Sequence, residues 1–304
     1  MQERPGPLDP VLPYPHPLLM ATLYLVSTPI GNLGDLTRRA EEILGSVSRV
    51  LAEDTRRTRT LLTHLGLKTP LVSLHSHNVA ARRGDILGWL EVGESLAMVS
   101  DAGTPLVSDP GQRVVEAVLE AGFDVVPIPG PSAALAALVA SGFPCNRFSF
   151  FGFLPRKGRE RTELLDRIAV SPDPVVLFES PERVGNLLEA LEEGCGSQRP
   201  VAVARELTKL HEEFVRGPVG EVRTRIGGVR PRGEYSVVVA GSDGEGASDA
   251  VDEGAARALA LTLLAEGLTP SRAAKEVARR LKVSRNLSYG VVQEVANGLE
   301  EDAG

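Results

Sequence analysis

The sequence is poor in cysteine, in long apolar runs and in recognisable targeting segments. Its 304 residues include only two cysteines, Cys145 and Cys195, which form no CxxC pair. Two isolated cysteines favour a reducing cytoplasm, with both residues acting as small buried hydrophobic side chains. No apolar run reaches the roughly 18 residues needed to span a membrane. The N-terminus has no basic region followed by an apolar one, so we expect neither a secretory signal nor a membrane partner.

Two common nucleotide-phosphate motifs are also missing. No GxGxxG follows a predicted strand, and no GxxxxGK[ST] occurs in the chain. The 33 basic and 40 acidic residues give a formal net charge of −7. That balance disfavours a protein that coats nucleic acid non-specifically, although a local basic patch is compatible with it.

Residues 1–20 form a proline-rich leader, with six prolines among the first 19 positions. Proline fixes φ and lacks a backbone N–H, so this segment is expected to be extended or disordered. Met20 directly precedes the first predicted strand. One interpretation is that Met20 is the natural start, and the other is that the leader is a flexible tail made in the cell.

Most of the chain alternates short apolar runs with segments of helical periodicity. The predicted strands are residues 23–27, 49–52, 71–74, 95–99, 123–127, 148–153, 174–178, 200–204 and 234–239. The predicted helices between them are residues 37–44, 56–65, 79–90, 112–121, 132–141, 159–168 and 181–192. Such alternation is typical of an α/β protein with mostly parallel sheets. The rhythm breaks near Phe148, so we expect two α/β domains, residues 21–143 and 144–241.

A linker and a helical module are predicted at the C-terminus. Residues 242–254, SDGEGASDAVDEG, are rich in glycine, serine and acidic residues, which is typical of a flexible linker. Helical segments over 255–266, 270–281 and 285–298 then predict a small module within residues 255–304. Between Arg272 and Arg285 the only acidic residue is Glu276. A basic run is usually a solvated helix face, but one of a single sign beside a linker favours RNA contact.

The segments that follow the predicted strands are rich in glycine, proline and small hydroxyl residues. Ligands of open α/β sheets bind beyond the carboxyl ends of the strands. One such segment alone is more often a turn or a helix N-cap, whereas several at one edge favour a site. The longest, Val99 to Gln112 (VSDAGTPLVSDPGQ), contains no lysine or arginine. It suits a neutral or cationic ligand with many hydrogen-bonding groups better than a triphosphate.

A metal site is not expected. His75 and His77 lie on one face of an extended segment, but no third ligand follows at metal-binding spacing.

Several of these stretches together resemble the tetrapyrrole-methylase superfamily. They are LVSTPIGNLGD, AEDTRRT, VSDAGTPLVSDPG, PIPGPSAAL, FGFLPRK, VLFESPERV, ARELTKLHEEFVRG and RGEYSVVV, spread over residues 23–240. Within the superfamily they are most similar to the enzymes that methylate the ribose 2′-oxygen of a decoding-centre cytidine in 16S rRNA of the 30S subunit. The resemblance implies two α/β domains of the class III methyltransferase type, with the cofactor in the cleft between them, and a homodimer.

The resemblance also implies S-adenosylmethionine as the cofactor. A loop without lysine or arginine would not repel its sulfonium cation, and backbone groups could hold its ammonium, ribose and adenine. The positions matching the family's cofactor contacts are Thr28, Pro29, Ser100, Asp101, Ala102, Gly103, Thr104, Pro105, Val107, Ser132, Ala133, Phe178, Leu207 and Gly233.

The catalytic candidates follow from what a ribose hydroxyl needs, and the RNA-binding candidates are basic residues that could contact phosphates. It is a weak nucleophile, so a base or a nearby cation should help it react. The strand-end candidates are Glu53, Asp54, His75, Arg205 and Glu206. Asp54 could instead cap a helix, and Glu206 could simply pair with Arg205 or Lys209. The RNA-binding candidates are Arg56, Arg156, Lys157, Arg159, Arg272, Arg279 and Arg280. Among them, Arg56 could hold a phosphate of a nucleotide that is extruded from the RNA.

Two other functions remain open at this point. One is a tetrapyrrole or diphthine-type methyltransferase of the same fold, against which the basic segments argue. The other is a non-catalytic RNA-binding factor of ribosome assembly, which would not bind S-adenosylmethionine.

Overall fold

The computed structural model describes residues 21–75, 78–228, 232–242, 253–281, 283 and 285–301. The described residues form two compact units, one ending at Ala240 and the other beginning at Gly241. The proline-rich leader, His77 and most of the predicted linker lie outside the described residues.

A five-stranded parallel sheet forms the first half of the N-terminal unit. Its strands are β1 (Thr22–Val26), β2 (Arg49–Ala52), β3 (Leu71–Ser73), β4 (Leu96–Val99) and β5 (Asp124–Ile128). Their order in the sheet is β3-β2-β4-β1-β5. All four residues of β4, Leu-Ala-Met-Val, are buried, as expected for a central parallel strand covered on both faces.

Helices cover both faces of this first sheet. They are α1 (Arg38–Ser46), α2 (Thr55–His64), α3 (Val79–Glu91) and α4 (Gln112–Glu120). A 3-10 helix lies at Leu33–Asp35, and a further helix, α5 (Ala133–Val139), follows β5. Alternate residues of each strand point to opposite faces. Ala97 therefore packs with residues of α1 and α2, whereas Met98 packs with residues of α3 and α4.

The second half of the unit contains a mixed sheet. Its strands are β6 (Ser149–Phe153), β7 (Val175–Glu179), β8 (Pro200–Arg205), β9 (Glu213–Pro218) and β10 (Tyr235–Val239), and its helices are α6 (Arg159–Val170), α7 (Val184–Cys195) and α8 (Val219–Gly227). The strand order is β6-β7-β10-β8-β9. Strands β6 and β7 pair in parallel, while the other three pairings are antiparallel. The second sheet thus departs from the expectation of mostly parallel pairing.

The sequence did not predict β9. Its residues, EFVRGP, lack apolar alternation and end in glycine and proline. Residues Glu213 to Pro218 nevertheless pair along the whole length of β8. Pairing with a distant strand overrides weak local propensity here.

The two faces of the second sheet have different partners. On one face, Val175, Leu177 and Val203 pack against α6, α7 and α8. The opposite face, which includes Val176, packs against α5 and against Ile30, a residue that follows β1. This shared core connects the two sheets.

The C-terminal unit is a small helical module. Its helices are α9 (Glu253–Ala265), α10 (Pro270–Leu281) and α11 (Arg285–Glu301). Its core consists mainly of alanine and valine, including Ala260, Ala274 and Val277. In α10 the apolar side chains face this core, while Arg272, Arg279 and Arg280 are exposed. Among the described residues, no helix is both long and apolar enough to cross a membrane.

The expectation that both cysteines are buried is wrong for Cys145. Cys195 is partly buried, but Cys145 is exposed. It follows Pro144 in the connection between α5 and β6, outside the cores of both sheets.

Candidate functional site

Loops from three neighbouring strands interlock at the carboxyl edge of the first sheet. We define the first-sheet edge as residues 27–32, 53–56, 100–109 and 129–133. Thr28 and Gly103 form an isolated antiparallel bridge, in which each backbone N–H donates to the other's carbonyl oxygen at 2.9 Å. The buried Thr28 hydroxyl also donates to the Ser100 carbonyl oxygen at 3.2 Å. The loops after β1 and β4 are therefore held together.

The loop after β5 joins the same network. The Thr104 hydroxyl donates to the Pro131 carbonyl oxygen at 3.2 Å, and Ser27 Oγ donates to Thr104 Oγ1 at 3.4 Å. Ser132 is the N-cap of α5 and accepts from the Leu135 N–H. The predicted cofactor residues before Ala140 thus converge on one edge, as the topology of a parallel sheet requires.

Two loops of the N-terminal unit contain non-glycine residues in left-handed backbone conformations. Leu106 and Ser108 have φ of 72° and 66°, and Glu206 and Thr208 have φ of 54° and 65°. Side chains rarely adopt these angles, and such residues cluster at functional sites. Both pairs lie in loops that follow a strand, one in each half.

The first-sheet edge carries a group of carboxylates. Glu53 and Asp109 line the same small pocket. Burial, together with the charges of Glu53 and Asp101, raises the pKa of Asp109 to about 6. Burial and the Asp101 charge raise the pKa of Glu53, although His75 opposes the shift. Carboxyl groups with raised pKa values are suited to accept a proton near neutral pH.

The sequence did not single out Asp109 as a catalytic candidate. The only local signal was its place in the DPG turn of the segment after β4. Its raised pKa depends on Glu53, which follows a different strand.

Asp54 is the N-cap of α2, as the alternative to a catalytic role predicted. Its side chain caps α2 by accepting from the Arg56 N–H. It also accepts from the Arg56 guanidinium at 3.0 and 2.8 Å. Hydrogen bonds from Arg56 lower the pKa of Asp54 to about 2. The Asp54 N–H in turn donates to Asp101 Oδ1 at 3.0 Å, so Asp54 orients Asp101. A catalytic role for Asp54 stays a prediction.

A loop of the second half lies against the first-sheet edge. We define the second-sheet edge as residues 153–159, 178–180, 205–209 and 233–234. A β-carbon on Gly31 would collide with the Lys209 side chain and lie 2.9 Å from the Leu207 carbonyl oxygen. Leu207 packs in the shared core with Ile30. These contacts place Leu207 beside the loop after β1.

Glu206 forms an ion pair with Lys209, as the alternative to a catalytic role predicted. Lys209 Nζ lies 2.8 Å from Glu206 Oε1 and 2.9 Å from Glu234 Oε2. The Glu234 N–H donates to the Glu206 carboxylate at 3.0 Å. Lys209 accordingly lowers the pKa of Glu206. Gly233 lies directly against this carboxylate. The group holds the second-sheet edge together, and a catalytic role for Glu206 stays a prediction.

Arg205 is next to Glu206 in the chain, and its charge helps to lower the pKa of Glu206, but the Arg205 side chain has other contacts. It pairs with Glu213 at 2.9 Å and lines a pocket with Val203, Val215 and Tyr235, which belong to the core beneath α6, α7 and α8. That core is on the face of the second sheet opposite the shared core, which contains Leu207 and Phe178.

The basic candidates differ in how far their charges are already paired. Among the described residues, Arg156 and Lys157 have no ion-pair partner, and both are exposed. Arg159 pairs with Glu163 at 2.6 Å. In the C-terminal unit, Arg279 and Arg280 both contact Glu276, at 2.6 and 2.7 Å. The paired residues offer less free positive charge to an anionic partner.

Known proteins resemble the chain over most of its length. Residues 22–223 match the family of tetrapyrrole (corrin/porphyrin) methylases. A Synechocystis sp. protein named ribosomal RNA small subunit methyltransferase I is 44% identical, over 89% of this chain and 96% of its own. The chain belongs to the tetrapyrrole methylase family. A Xylella fastidiosa protein, also named ribosomal RNA small subunit methyltransferase I, is 45% identical over 88% of this chain and 98% of its own.

A solved structure of this methylase family has the same fold. Uroporphyrin-III C-methyltransferase from Thermus thermophilus, complexed with S-adenosyl homocysteine, matches with a TM-score of 0.53 and 20% identity. The match covers 72% of this chain and 97% of that one. At this identity the likeness shows the fold alone.

The first-sheet edge fits the methyl donor that the fold family implies. The donor carries a sulfonium and an ammonium group, and the neighbouring carboxyl groups of Asp101, Glu53 and Asp109 would supply negative charge to a cation bound at this edge. Ala102 is small and exposed, so it leaves the surface of this loop open beside Asp101. The nearby arginines add little repulsion, because Arg56 pairs with Asp54 and Arg57 lies 3.8 Å from Asp101.

No group of three or more metal-ligating side chains occurs in the part of the chain that the structure describes.

Proposed function

We propose that this protein methylates the ribose 2′-oxygen of a cytidine in 16S rRNA of the 30S subunit. It is a methyltransferase of the tetrapyrrole methylase family, with S-adenosylmethionine as donor. The observation that supports the proposal most strongly is the interlocked, carboxylate-rich first-sheet edge near the exposed Arg156 and Lys157, which have no ion-pair partner in the part of the chain that the structure describes. An RNA substrate is suggested by the names of the relatives, which are about 44% identical.

The first-sheet edge would hold and orient the donor. S-adenosylmethionine supplies a methyl group attached to a positively charged sulfur. The rigid network around Thr28, Gly103 and Thr104 would fix the position of the binding loop before the substrate arrives. Orientation of this kind supplies much of the rate acceleration in a direct displacement.

Glu53 and Asp109 are the residues best suited to take the proton of the ribose hydroxyl. Their pKa values are raised, so each carboxylate binds a proton more readily than an ordinary surface carboxylate does. Asp109 has the larger shift and becomes the first residue to test. Asp54 would act indirectly, because its N–H orients Asp101.

Mass mapping of 16S rRNA tests the proposal. Unmethylated 30S subunits are incubated with S-adenosylmethionine and either the wild-type protein or Asp101→Ala. The wild type should add one methyl group to a cytidine ribose. Asp101→Ala should bind the donor about tenfold more weakly, a change of roughly 1.4 kcal/mol. Modification of a base, or no modification by the wild type, would refute the proposed reaction.

Two inexpensive assays address the alternative functions. Turnover of uroporphyrinogen would favour a tetrapyrrole methyltransferase. Absence of S-adenosylmethionine binding in calorimetry would favour a non-catalytic RNA-binding factor.

A further inference from the structure

A bulge in β6 changes the face on which its last residue lies. Phe150 lies opposite Val176, and Phe153 lies opposite Phe178. Phe153 is three residues after Phe150, but their partners in β7 are only two residues apart. The extra residue of β6 lies between Phe150 and Gly152, where the register shifts. Regular alternation would place Phe150 and Phe153 on opposite faces. The bulge places both on the face that carries Val176, which is the face packed against α5.

Three phenylalanines meet at this end of the second sheet. The rings of Phe150 and Phe178 are edge-to-face, with centroids 5.0 Å apart. The rings of Phe153 and Phe178 are 5.7 Å apart and tilted by 59°. Phe150 and Phe178 are partly buried against the shared core, but Phe153 is 53% exposed. Phe153 is thus an exposed ring supported by a fixed one.

The same bulge touches the segment after β4. Gly152 has φ of 59°, and a β-carbon there would lie 2.7 Å from Ser108 Oγ. Ser108 is next to Asp109 in the first-sheet edge. The phenylalanine group therefore adjoins the loop proposed to bind the methyl donor, and bulges are frequent beside active sites.

Unpaired positive charge follows Phe153 directly. Arg156 and Lys157 are three and four residues further along the chain, both exposed and, within the described part of the chain, without an ion-pair partner. An exposed aromatic ring beside free cations is the combination that binds single-stranded nucleic acid, since bases stack on rings and phosphates contact cations.

We propose that Phe153, supported by Phe178, stacks on a base of the substrate RNA while Arg156 and Lys157 bind adjacent phosphates. The proposal rests on the proposed function, since it assigns a base-binding residue next to the first-sheet edge. Phe153 would act by positioning the nucleotide beside the first-sheet edge.

Kinetics of Phe153→Leu test the positioning role. Leucine keeps an apolar side chain but removes the ring. We expect KM for unmethylated 30S subunits to rise about tenfold, in the range measured for loss of one stacked base, with kcat within about twofold. Phe153→Tyr should restore KM. Phe148→Leu is the control, because Phe148 is 39% exposed near the start of β6 and should leave KM unchanged.

A fluorescence measurement detects stacking without catalysis. Phe153→Trp is introduced together with Trp89→Phe, so that position 153 carries the single tryptophan. Oligocytidylate RNA should quench its emission, and the quenching should weaken when Arg156 and Lys157 are changed to glutamine. The matched variant with Phe148→Trp in place of Phe153→Trp should not respond.

The outcomes separate the two proposals. If the wild type does not methylate 30S subunits, the proposed function fails. If the wild type is active but Phe153→Leu has an unchanged KM and the tryptophan placed at position 153 is not quenched, the stacking role is overturned. Weaker S-adenosylmethionine binding by Phe153→Leu in calorimetry would also overturn it, because the ring would then contact the donor. A change in the oligomeric mass of Phe153→Leu would overturn it as well, by assigning the ring to a subunit contact.

Discussion

The two sheet edges of the N-terminal unit differ in where they expose charge, because the carboxylates Glu206 and Glu234 of the second-sheet edge are paired with Lys209. The first-sheet edge carries the carboxylates Glu53, Asp101 and Asp109 within a network of short loop hydrogen bonds. The second-sheet edge carries the exposed ring of Phe153 and the exposed cations Arg156 and Lys157. The acidic edge is interlocked, whereas the basic side chains extend into solvent.

This difference suits the two oppositely charged ligands of the proposed reaction. Under the proposed function, the acidic edge would attract a cationic methyl donor and Arg156 and Lys157 would attract an anionic RNA. Attraction of this kind would act before any close contact forms.

The largest expected effect comes from disrupting the rigid edge with Gly103→Val. Gly103 has φ of 82°, and an added β-carbon would lie 3.2 Å from Ile30 Cγ2. Backbone strain and crowding together should cost about 2–3 kcal/mol. We expect S-adenosylmethionine affinity in calorimetry to fall roughly 100-fold.

Gly122→Val is the matched control for that substitution. Gly122 also has φ of 82°, but nothing lies within 4 Å of its added β-carbon. The control should lose stability and keep its donor affinity. Equal loss of affinity in both variants would show that the Gly103 effect is general destabilisation.

A smaller effect is expected on the basic edge from the double change Arg156→Glu and Lys157→Glu. Affinity for 30S subunits should fall about tenfold at low salt, and the dependence of affinity on salt should become shallower, because fewer phosphate contacts release counterions. Donor affinity should not change. Arg159→Glu should have a weaker effect, since Arg159 is already paired with Glu163. Filter binding over a range of salt concentrations measures both effects.

Asp109→Asn should change stability by about 1 kcal/mol, after allowance for its partial exposure. The pKa of Asp109 is raised from 3.8 to about 6 in the folded protein. The folded state therefore binds this proton more tightly than the unfolded state, and stability falls as pH rises from about 4 to 6. Asparagine carries no charge, so it removes the free-energy cost of burying an ionised carboxylate. The variant should therefore be more stable than the wild type at pH 7 and similar at pH 4.

Urea unfolding at both pH values measures that difference. Wild-type methylation should change in the opposite direction and decline as pH falls through about 6, because the protonated carboxyl cannot act as a base. A stability difference independent of pH would contradict the assigned pKa.

The smallest effect is expected in the C-terminal unit. Arg279→Gln with Arg280→Gln should weaken 30S binding only about twofold, because Glu276 already neutralises part of their charge. Glu276→Gln should strengthen binding slightly by freeing both arginines. If the double change weakens binding as much as the change at Arg156 and Lys157, then pairing with Glu276 does not reduce the contribution of Arg279 and Arg280 to 30S binding.

Most of the helices, the parallel first sheet and the loop composition of the first-sheet edge could be predicted from the amino-acid order alone. Apolar periodicity and turn residues are local properties, and the carboxyl ends of parallel strands necessarily meet at one edge. That is why Thr28, Gly103 and Ser132 could be grouped before their contacts were known. The resemblance of the motifs supplied the family, which periodicity alone does not specify.

Four features depend instead on tertiary structure: the pairing of β9, the face occupied by Phe153, the position of Arg205 beside the core under α6, α7 and α8, and the shifted pKa of Asp109. Strand β9 forms because β8 offers it a partner, and a single-residue bulge reverses the side on which Phe153 lies. Asp109 titrates near 6 because folding buries it beside Glu53 and Asp101. Burial and the distance between charges exist only in the folded chain, so no local pattern of residues could have specified them.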